Sequence, residues 1–429
     1  GARAPPAPLL PQRRPPYHLH ARRSPARLTA PTARPAMAPL RWLPLLVLAP
    51  VAAGQEIMIN LDVEPGERWK DTAKVYRSFF TPERVRFWEE GLPFDRKDLD
   101  ELLEVTHFEE EHLEEMHGFL EMMKGTNLTM RGMKLMQMPY ELGLTEGFDC
   151  SGIVAAMPDG TVVHGRNMDL EGNTSWHDAG GVTVNFQSKG KIIITGPGNL
   201  GSLGLHTGMR LHFTGGGFLD SAWSWQQNTR FEQRYHTRKE WMRRSIQAAR
   251  LGGLPFSMVA RKIFTEAPRF EEAVSAFAAT PFIVPQYFVL AGQRPFQGAV
   301  ITVGRQEGWR AFHDVRALSS FFGRWFLVQT NDDNWNAPLD SRRPEALRML
   351  REAGQDAVNL ENITQVMRTD PVCNAYTKFT WVAVPAHKSS KIITTPCEGA
   401  KSKRAAAGNA SNASNASDAF VVKIGHLSS

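Results

Sequence analysis

The chain has 429 residues, 42% of them hydrophobic, so a sizeable core is feasible in one large domain or two ordinary ones. The formal charge of +6 is misleading, because Arg3, Arg13, Arg14, Arg22, Arg23, Arg27 and Arg34 crowd residues 1–36 with no acidic residue among them, and Arg41 follows. Removing these eight charges leaves about −2 for the remainder, which argues against a nucleic-acid partner. Residues 1–36 are rich in Pro, Arg and Ala, and the first Met is Met37. They read as sequence upstream of the true start, the alternative being a basic leader. Residues 37–54 then give one positive charge, a short apolar run and small residues, the layout of a secretory signal peptide. Sequons at Asn127, Asn173 and Asn362, with three more at Asn409, Asn412 and Asn415, fit passage through the secretory route.

Beyond the leader, Ile57–Val63 predicts an extended segment that turns helical by residue 76. Leu99, Leu102 and Leu103, then Leu113, Met116 and Leu120, predict an amphipathic helical stretch over 95–124, broken near Phe108. Six Met between Met122 and Met138 predict another helix, whose Met stripe reads first as core and second as a lipid-contacting surface. At Cys150 the texture changes. Ile153–Ala156, the turn Pro158-Asp159-Gly160 and Thr161–Gly165 predict a hairpin, and residues 182–195 a second one. Loops and short strands follow over 196–217, then helices near 237–250, 254–265 and 270–279. Strands are expected at 287–291, 298–302 and 325–329, with a late hairpin over 377–384 and 391–395. The small, polar, repetitive tail from Lys401 predicts disorder. The pattern as a whole predicts an α+β layered domain with antiparallel sheets. There is no metal-ligand spacing or phosphate-cradling loop, so no cofactor and no metal is expected.

The three cysteines are Cys150, Cys373 and Cys397. An odd count in an oxidising compartment leaves one thiol over. Cys373 and Cys397 flank the late hairpin and are candidates to pair, which the sequence leaves open. The first hairpin brings the end of its second strand, His164-Gly165-Arg166-Asn167-Met168-Asp169, back beside Cys150. Arg166 is then placed to favour a thiolate, and Asp169 to orient the Cys150 nitrogen were it a free amine. A surface ion pair for Arg166 and Asp169, and a turn role for Asn331, are the plainer readings.

The stretch around Cys150 resembles the nucleophile region of the acid ceramidase and N-acylethanolamine acid amidase family of N-terminal nucleophile hydrolases. Further pieces agree in order: Asn60-Leu61-Asp62 with Pro65, Arg68 and Trp69; Tyr140-Glu141; Gln329-Thr330-Asn331 with Asp333 and Trp335; Asp340-Ser341-Arg342-Arg343; and Asn362-Ile363-Thr364. The resemblance spans roughly residues 57–397. It implies an αββα sandwich of stacked antiparallel sheets preceded by a helical α-chain. It also implies self-cleavage between Asp149 and Cys150, giving an α-chain of 55–149, a β-chain catalytic domain of 150–400 and a tail of 401–429. Cys150 would use its own new α-amine as general base, Asn331 would serve the oxyanion, Arg166 and Asp169 would position the nucleophile, and Arg342 would hold the Asn331 loop or the substrate head group. Three departures stand out: four extra residues separate Glu141 from Cys150, Asp332 replaces a Tyr, and the acidic residue of the central helical block has only Glu240 as a counterpart.

The implied activity is hydrolysis of N-acylethanolamines at acidic pH, in the lysosome or after secretion, with ceramide as the alternative substrate. The short segment between Asp169 and Val182 favours the former. Expected partners are a lipid amide, a transient membrane or micelle surface, and the two fragments of the chain itself. A secreted, non-catalytic lipid-binding protein is the reading from another class.

Overall fold

The structure is a computed structural model, and it describes residues 55–144, 148–170, 181–211, 222–231, 237–308 and 312–397. The stretches expected to be a leader (1–36), a signal peptide (37–54) and a disordered tail (401–429), with Asn173, lie outside the described residues. The first strand, β1 (Glu56–Asn60), alternates exposed and buried positions, with Ile57 and Ile59 turned inward. A helical run follows: α1 (Ala73–Phe79), α2 (Pro82–Arg86, with Pro at its start), α3 (Arg96–Val105), α4 (Glu110–Met122) and α5 (Met130–Met136). The break between α3 and α4 falls at Phe108, whose ring is buried there.

The helix expected over Met122–Met138 is corrected. Gly125 and Asn127 both take positive φ (89° and 62°), which ends α4 and delays α5 until Thr129 caps it by accepting from the Gly132 N–H. Met123, Met133, Met136 and Met138 are buried, so these methionines are core filler and not a lipid-facing stripe.

Two sheets form the centre. The smaller has five strands: β2 (Phe148–Ala156), β3 (Val162–Leu170), β11 (Phe326–Gln329), β12 (Thr377–Val384) and β13 (Ser389–Ile393), in the order β11-β2-β3-β12-β13 and antiparallel throughout. The larger has eight: β1, β4 (Gly181–Ser188), β5 (Lys191–Asn199), β6 (Thr207–Arg210), β7 (Trp223–Thr229), β8 (Gln286–Gly292), β9 (Gly298–Val303) and β10 (His313–Ala317). Its strands are antiparallel except for β1, which joins β4 in parallel.

The sheets stack through β2 and β3 against β7, β8 and β9. The outer face of the large sheet is covered by α7 (Phe256–Glu266) and α8 (Phe270–Ala279), which follow α6 (Arg238–Arg250). The outer face of the small sheet is covered by α9 (Arg342–Ala353) and α10 (Leu360–Arg368). This is the αββα sandwich of N-terminal nucleophile hydrolases.

Strand β7 shows how the layers are tied. Trp223 and Trp225 face the helices, and Trp225 stacks on Phe277 at 5.3 Å. The alternate residues are polar and buried between the sheets: Gln226 donates to the Ser151 carbonyl at 3.4 Å, and Asn228 to the Gln329 carbonyl at 3.0 Å. Close approach of the sheets requires Gly152, because a Cβ there would stand 2.4 Å from Gln226 Nε2.

Candidate active site

Cys150 sits near the start of β2, fully buried, with Met168 opposite it in register. Two residues on, Gly152 pairs with Arg166 of β3 on one side and Gln329 of β11 on the other. A central strand with neighbours on both edges therefore draws residues distant in sequence to one point. Arg166 Nη2 lies 3.6 Å from Cys150 Sγ, while its Nη1 donates to the His206 carbonyl at 2.8 Å. Asn331, just past β11, accepts the Cys150 N–H on Oδ1 at 2.8 Å and donates from Nδ2 to the Thr229 carbonyl at 2.8 Å.

Arg342, at the start of α9, gathers the rest. Nη1 donates to the Cys150 carbonyl at 3.1 Å and to Asp169 Oδ2 at 3.2 Å; Nη2 donates to Asn331 Oδ1 at 3.1 Å and to Asp340 at 2.5 Å. Asp149, on the other side of the Asp149–Cys150 bond, lies 3.4 Å from the same nitrogen. Asp169 is further held by the Thr377 hydroxyl at 2.6 Å and the Asn374 amide at 3.2 Å. All five candidate side chains, Cys150, Arg166, Asp169, Asn331 and Arg342, thus belong to one connected cluster. Asp169 reaches the Cys150 backbone through Arg342. Glu240 lies apart, half-exposed on α6 and 3.6 Å from Arg244 one turn on.

Burial dominates the electrostatics. It pushes the Cys150 thiol up to about 11, and the nearby Arg166 and Arg342 charges offset this only in part. A thiol so placed needs a base to ionise. Burial likewise raises Asp169 to about 6 against the pull of Arg342 and its hydrogen bonds, and it raises Asp149.

Cys373 and Cys397 form a disulfide, leaving Cys150 as the free thiol. Of the Asp169 partners, Asn374, next to Cys373, carried no signal, and Thr377 was visible only as the start of a segment that agrees with the family in placement. Asp340 was visible only as part of the Asp-Ser-Arg-Arg run. Asn228, which braces the Gln329–Thr330 backbone, carried no signal, since a polar residue in a short segment reads as loop.

The chain is 31% identical over 348 residues to "N-acylethanolamine-hydrolyzing acid amidase" of Mus musculus, covering 78% of this chain and 87% of that one. It belongs to the N-acylethanolamine acid amidase and acid ceramidase family. The rat amidase (Rattus norvegicus) is 34% identical over 272 residues, covering 62% of this chain and 68% of that relative. "Acid ceramidase" of Macaca fascicularis is 32% identical over 247 residues, covering 54% and 58%. Among solved structures, a Caenorhabditis elegans amidase ortholog superposes with a TM-score of 0.48 at 28% identity, covering 57% of this chain and all of that one. No family model matches. Membership in this amidase and ceramidase family makes the chain an enzyme that acts on amide bonds.

Proposed function

We propose that the chain cuts itself between Asp149 and Cys150 and then hydrolyses N-acylethanolamines to fatty acid and ethanolamine at acidic pH. The observation that carries this reading is the single cluster that grips both sides of the Asp149–Cys150 bond. Arg342 contacts Asp149 and the Cys150 carbonyl, and Asn331 holds the Cys150 nitrogen. A buried thiol pushed up to about 11 needs a local base, and a freed α-amine, with a reference pKa of roughly 7.7–8.0, is one.

In this reading the Cys150 thiolate forms a C–S bond to the substrate carbonyl carbon, its proton passing to the α-amine. Asn331 Nδ2 serves the oxyanion, its amide orientation set by the Thr229 carbonyl. The C–N bond breaks, and the departing ethanolamine nitrogen takes the proton from the α-amine. Water then cleaves the thioester to release the fatty acid. Arg166 and Asp169 position the nucleophile, the latter through Arg342.

The two fragments stay together as a heterodimer and meet substrate at a membrane or micelle surface. The signal-like leader and the sequons favour the lysosome or secretion. Asn127 is exposed and Asn362 half-buried, both compatible with glycosylation. No helix among the described residues is long and apolar enough to cross a membrane.

Incubation of the purified chain at pH about 4.5 is expected to yield two fragments, the second beginning at Cys150, and turnover of palmitoylethanolamide. Cys150→Ser should abolish turnover. A chain that stays whole and inert under these conditions refutes the proposal. Faster release of palmitate from ceramide than from palmitoylethanolamide assigns the chain to ceramide hydrolysis instead.

A further inference from the structure

We propose that His164, Gln226 and Asn228 form a buried hydrogen-bond relay of fixed direction, and that this relay positions Asn331 against Cys150. It rests on the reading of the chain as an amidase in which Asn331 serves the oxyanion. Strand β7 turns Ser224, Gln226 and Asn228 toward the small sheet, and β3 turns His164 toward them from the face that also carries Arg166. All four side chains are fully buried, in the layer that Val154, Val289 and Val300 otherwise fill. Gln226 cannot slide, because its amide occupies the notch left at Gly152.

The direction follows from the ends. Asn228 faces two backbone carbonyls, Gln329 at 3.0 Å and Thr330 at 3.4 Å, and a carbonyl only accepts, so Nδ2 must point at them. Its Oδ1 then accepts, at 2.7 Å, from Gln226 Nε2, which also reaches the Ser151 carbonyl at 3.4 Å. That leaves Gln226 Oε1 to face His164 Nε2 at 3.2 Å, so this nitrogen carries the proton. Nδ1 is bare and accepts at 2.9 Å from the Ser224 hydroxyl, of whose two acceptors it is the closer. Burial and the neighbouring Arg166 charge hold His164 down at about 3, so mild acid does not turn the relay round.

The relay spans the two halves of the site. Gln226 holds β2 one residue past Cys150, and Asn228 holds the two peptides that lead into Asn331. The end of β7 continues the grip: the Thr229 carbonyl accepts from Asn331 Nδ2 at 2.8 Å, and the Phe231 N–H donates to the Asn331 carbonyl at 3.1 Å. Gln329 and Arg343 brace the same loop from within it and from α9, whereas the relay ties it to the strand of the nucleophile. Every polar side-chain atom of His164, Ser224, Gln226 and Asn228 is partnered, and a buried network so satisfied rigidifies what it joins.

Kinetics of the full chain, with rates referred to cleaved protein, test this. Asn228→Leu should lower kcat on the order of a hundredfold with KM nearly unchanged, since a shift of about 1 Å at Asn331 suffices. Combined with Asn331→Ala it should cost no more than Asn331→Ala alone, because both act at one point. His164→Leu should lose kcat in the same way, and His164→Gln, which returns an N–H donor where Nε2 stood, should recover most of it. Where a variant cuts itself slowly, the rate of self-cleavage is read by the same comparisons. An unaltered kcat, losses that multiply, or equal rates for His164→Gln and His164→Leu overturn the proposal. A second measurement uses the wild-type chain labelled with nitrogen-15 histidine at pH about 4.5. The signals that His164→Gln removes should be those of a neutral ring with its proton on Nε2. A proton on Nδ1, or on both nitrogens, also overturns the relay. A wild-type chain that neither cuts itself nor turns over palmitoylethanolamide refutes the amidase reading, while the tautomer still decides the direction of the relay.

Discussion

Two consecutive arginines at the start of α9 face opposite tasks. Arg342 reaches Cys150, Asp169 and Asn331, whereas Arg343 reaches only the loop that carries Asn331. Arg343 Nη1 donates to the carbonyls of Asp332 and Asp333 at 3.1 and 3.0 Å, and Nη2 to the Asn336 carbonyl at 3.0 Å; it also pairs with Asp332 Oδ2 at 2.8 Å. Asp332, the residue that departs from the family pattern, spends its other contacts on the Thr330 hydroxyl at 2.6 Å and the Leu339 N–H at 3.1 Å. The loop after β11 is thus folded around a buried ion pair. Arg343→Lys keeps the charge but loses the planar fork that serves three carbonyls. Turnover is expected to fall on the order of a hundredfold, because a misplacement of about 1 Å at Asn331 suffices for that loss. Steady-state kinetics read the effect as a drop in kcat, with the far-ultraviolet dichroism unchanged. An unaltered kcat would mean that the loop holds Asn331 without Arg343.

At the scale of elements, the helical segment before Cys150 is fastened to the rest by a buried charge cluster. Glu115 of α4 accepts two bonds from Arg261 of α7 at 2.6 and 2.7 Å, one from Arg68 at 2.6 Å and one from the Trp69 indole at 2.9 Å. The Arg261 bonds to Glu115, with the parallel pairing of β1 and β4, cross the proposed cut and do not depend on the Asp149–Cys150 bond, while the Arg68 and Trp69 bonds brace Glu115 from its own side. Glu115→Gln leaves the buried Arg261 without its carboxylate, whereas Arg68 keeps Glu111, at a cost of about 3–5 kcal/mol. Thermal unfolding should drop accordingly, and size-exclusion chromatography of cut material should show the fragments separating. Co-elution at full stability would refute a fastening role.

Much of this architecture was legible where periodicity was clean, as in α3, α4, α6, α7, α8 and the β2–β3 and β12–β13 hairpins. Strands β7 and β10 and helices α9 and α10 were not. β7 buries Gln226 and Asn228 between sheets, so its inner face carries no apolar signal, and β10 exposes alternate residues at an edge. Cys150, Arg166 and Asp169 were readable because one hairpin joins them. The Asn374 and Thr377 contacts to Asp169 come from the start of β12 and the turn before it, more than 200 residues later, and no local pattern encodes that.

For the whole molecule, acidity acts in two directions at once. Burial holds Glu141 up at about 7 and Asp169 at about 6, so each binds a proton more readily folded than unfolded. Their stabilisation is complete below about pH 4 and is lost as pH rises through 6 to 7. Burial holds His112 down at about 4 and His164 and His206 at about 3, which reverses the sign: that stability is present above about 6.5 and is lost as pH falls. The two carboxyls therefore counter the three imidazoles between about pH 3 and 7. Glu141 is the better place to test this, because it lies outside the Cys150 cluster. Its Oε1 accepts the Phe256 N–H at 3.0 Å, and its Oε2 has no partner among the described residues. Glu141→Gln mimics the protonated form. It should leave the melting temperature near wild type at pH about 4.5 and raise stability by roughly 1–3 kcal/mol at pH about 8, where the wild-type carboxylate is charged and buried. Calorimetry at the two pH values reads the difference directly. A variant that gains equally at both would show that Glu141 is already ionised in the folded acid form and that the His112, His164 and His206 contributions go unopposed there.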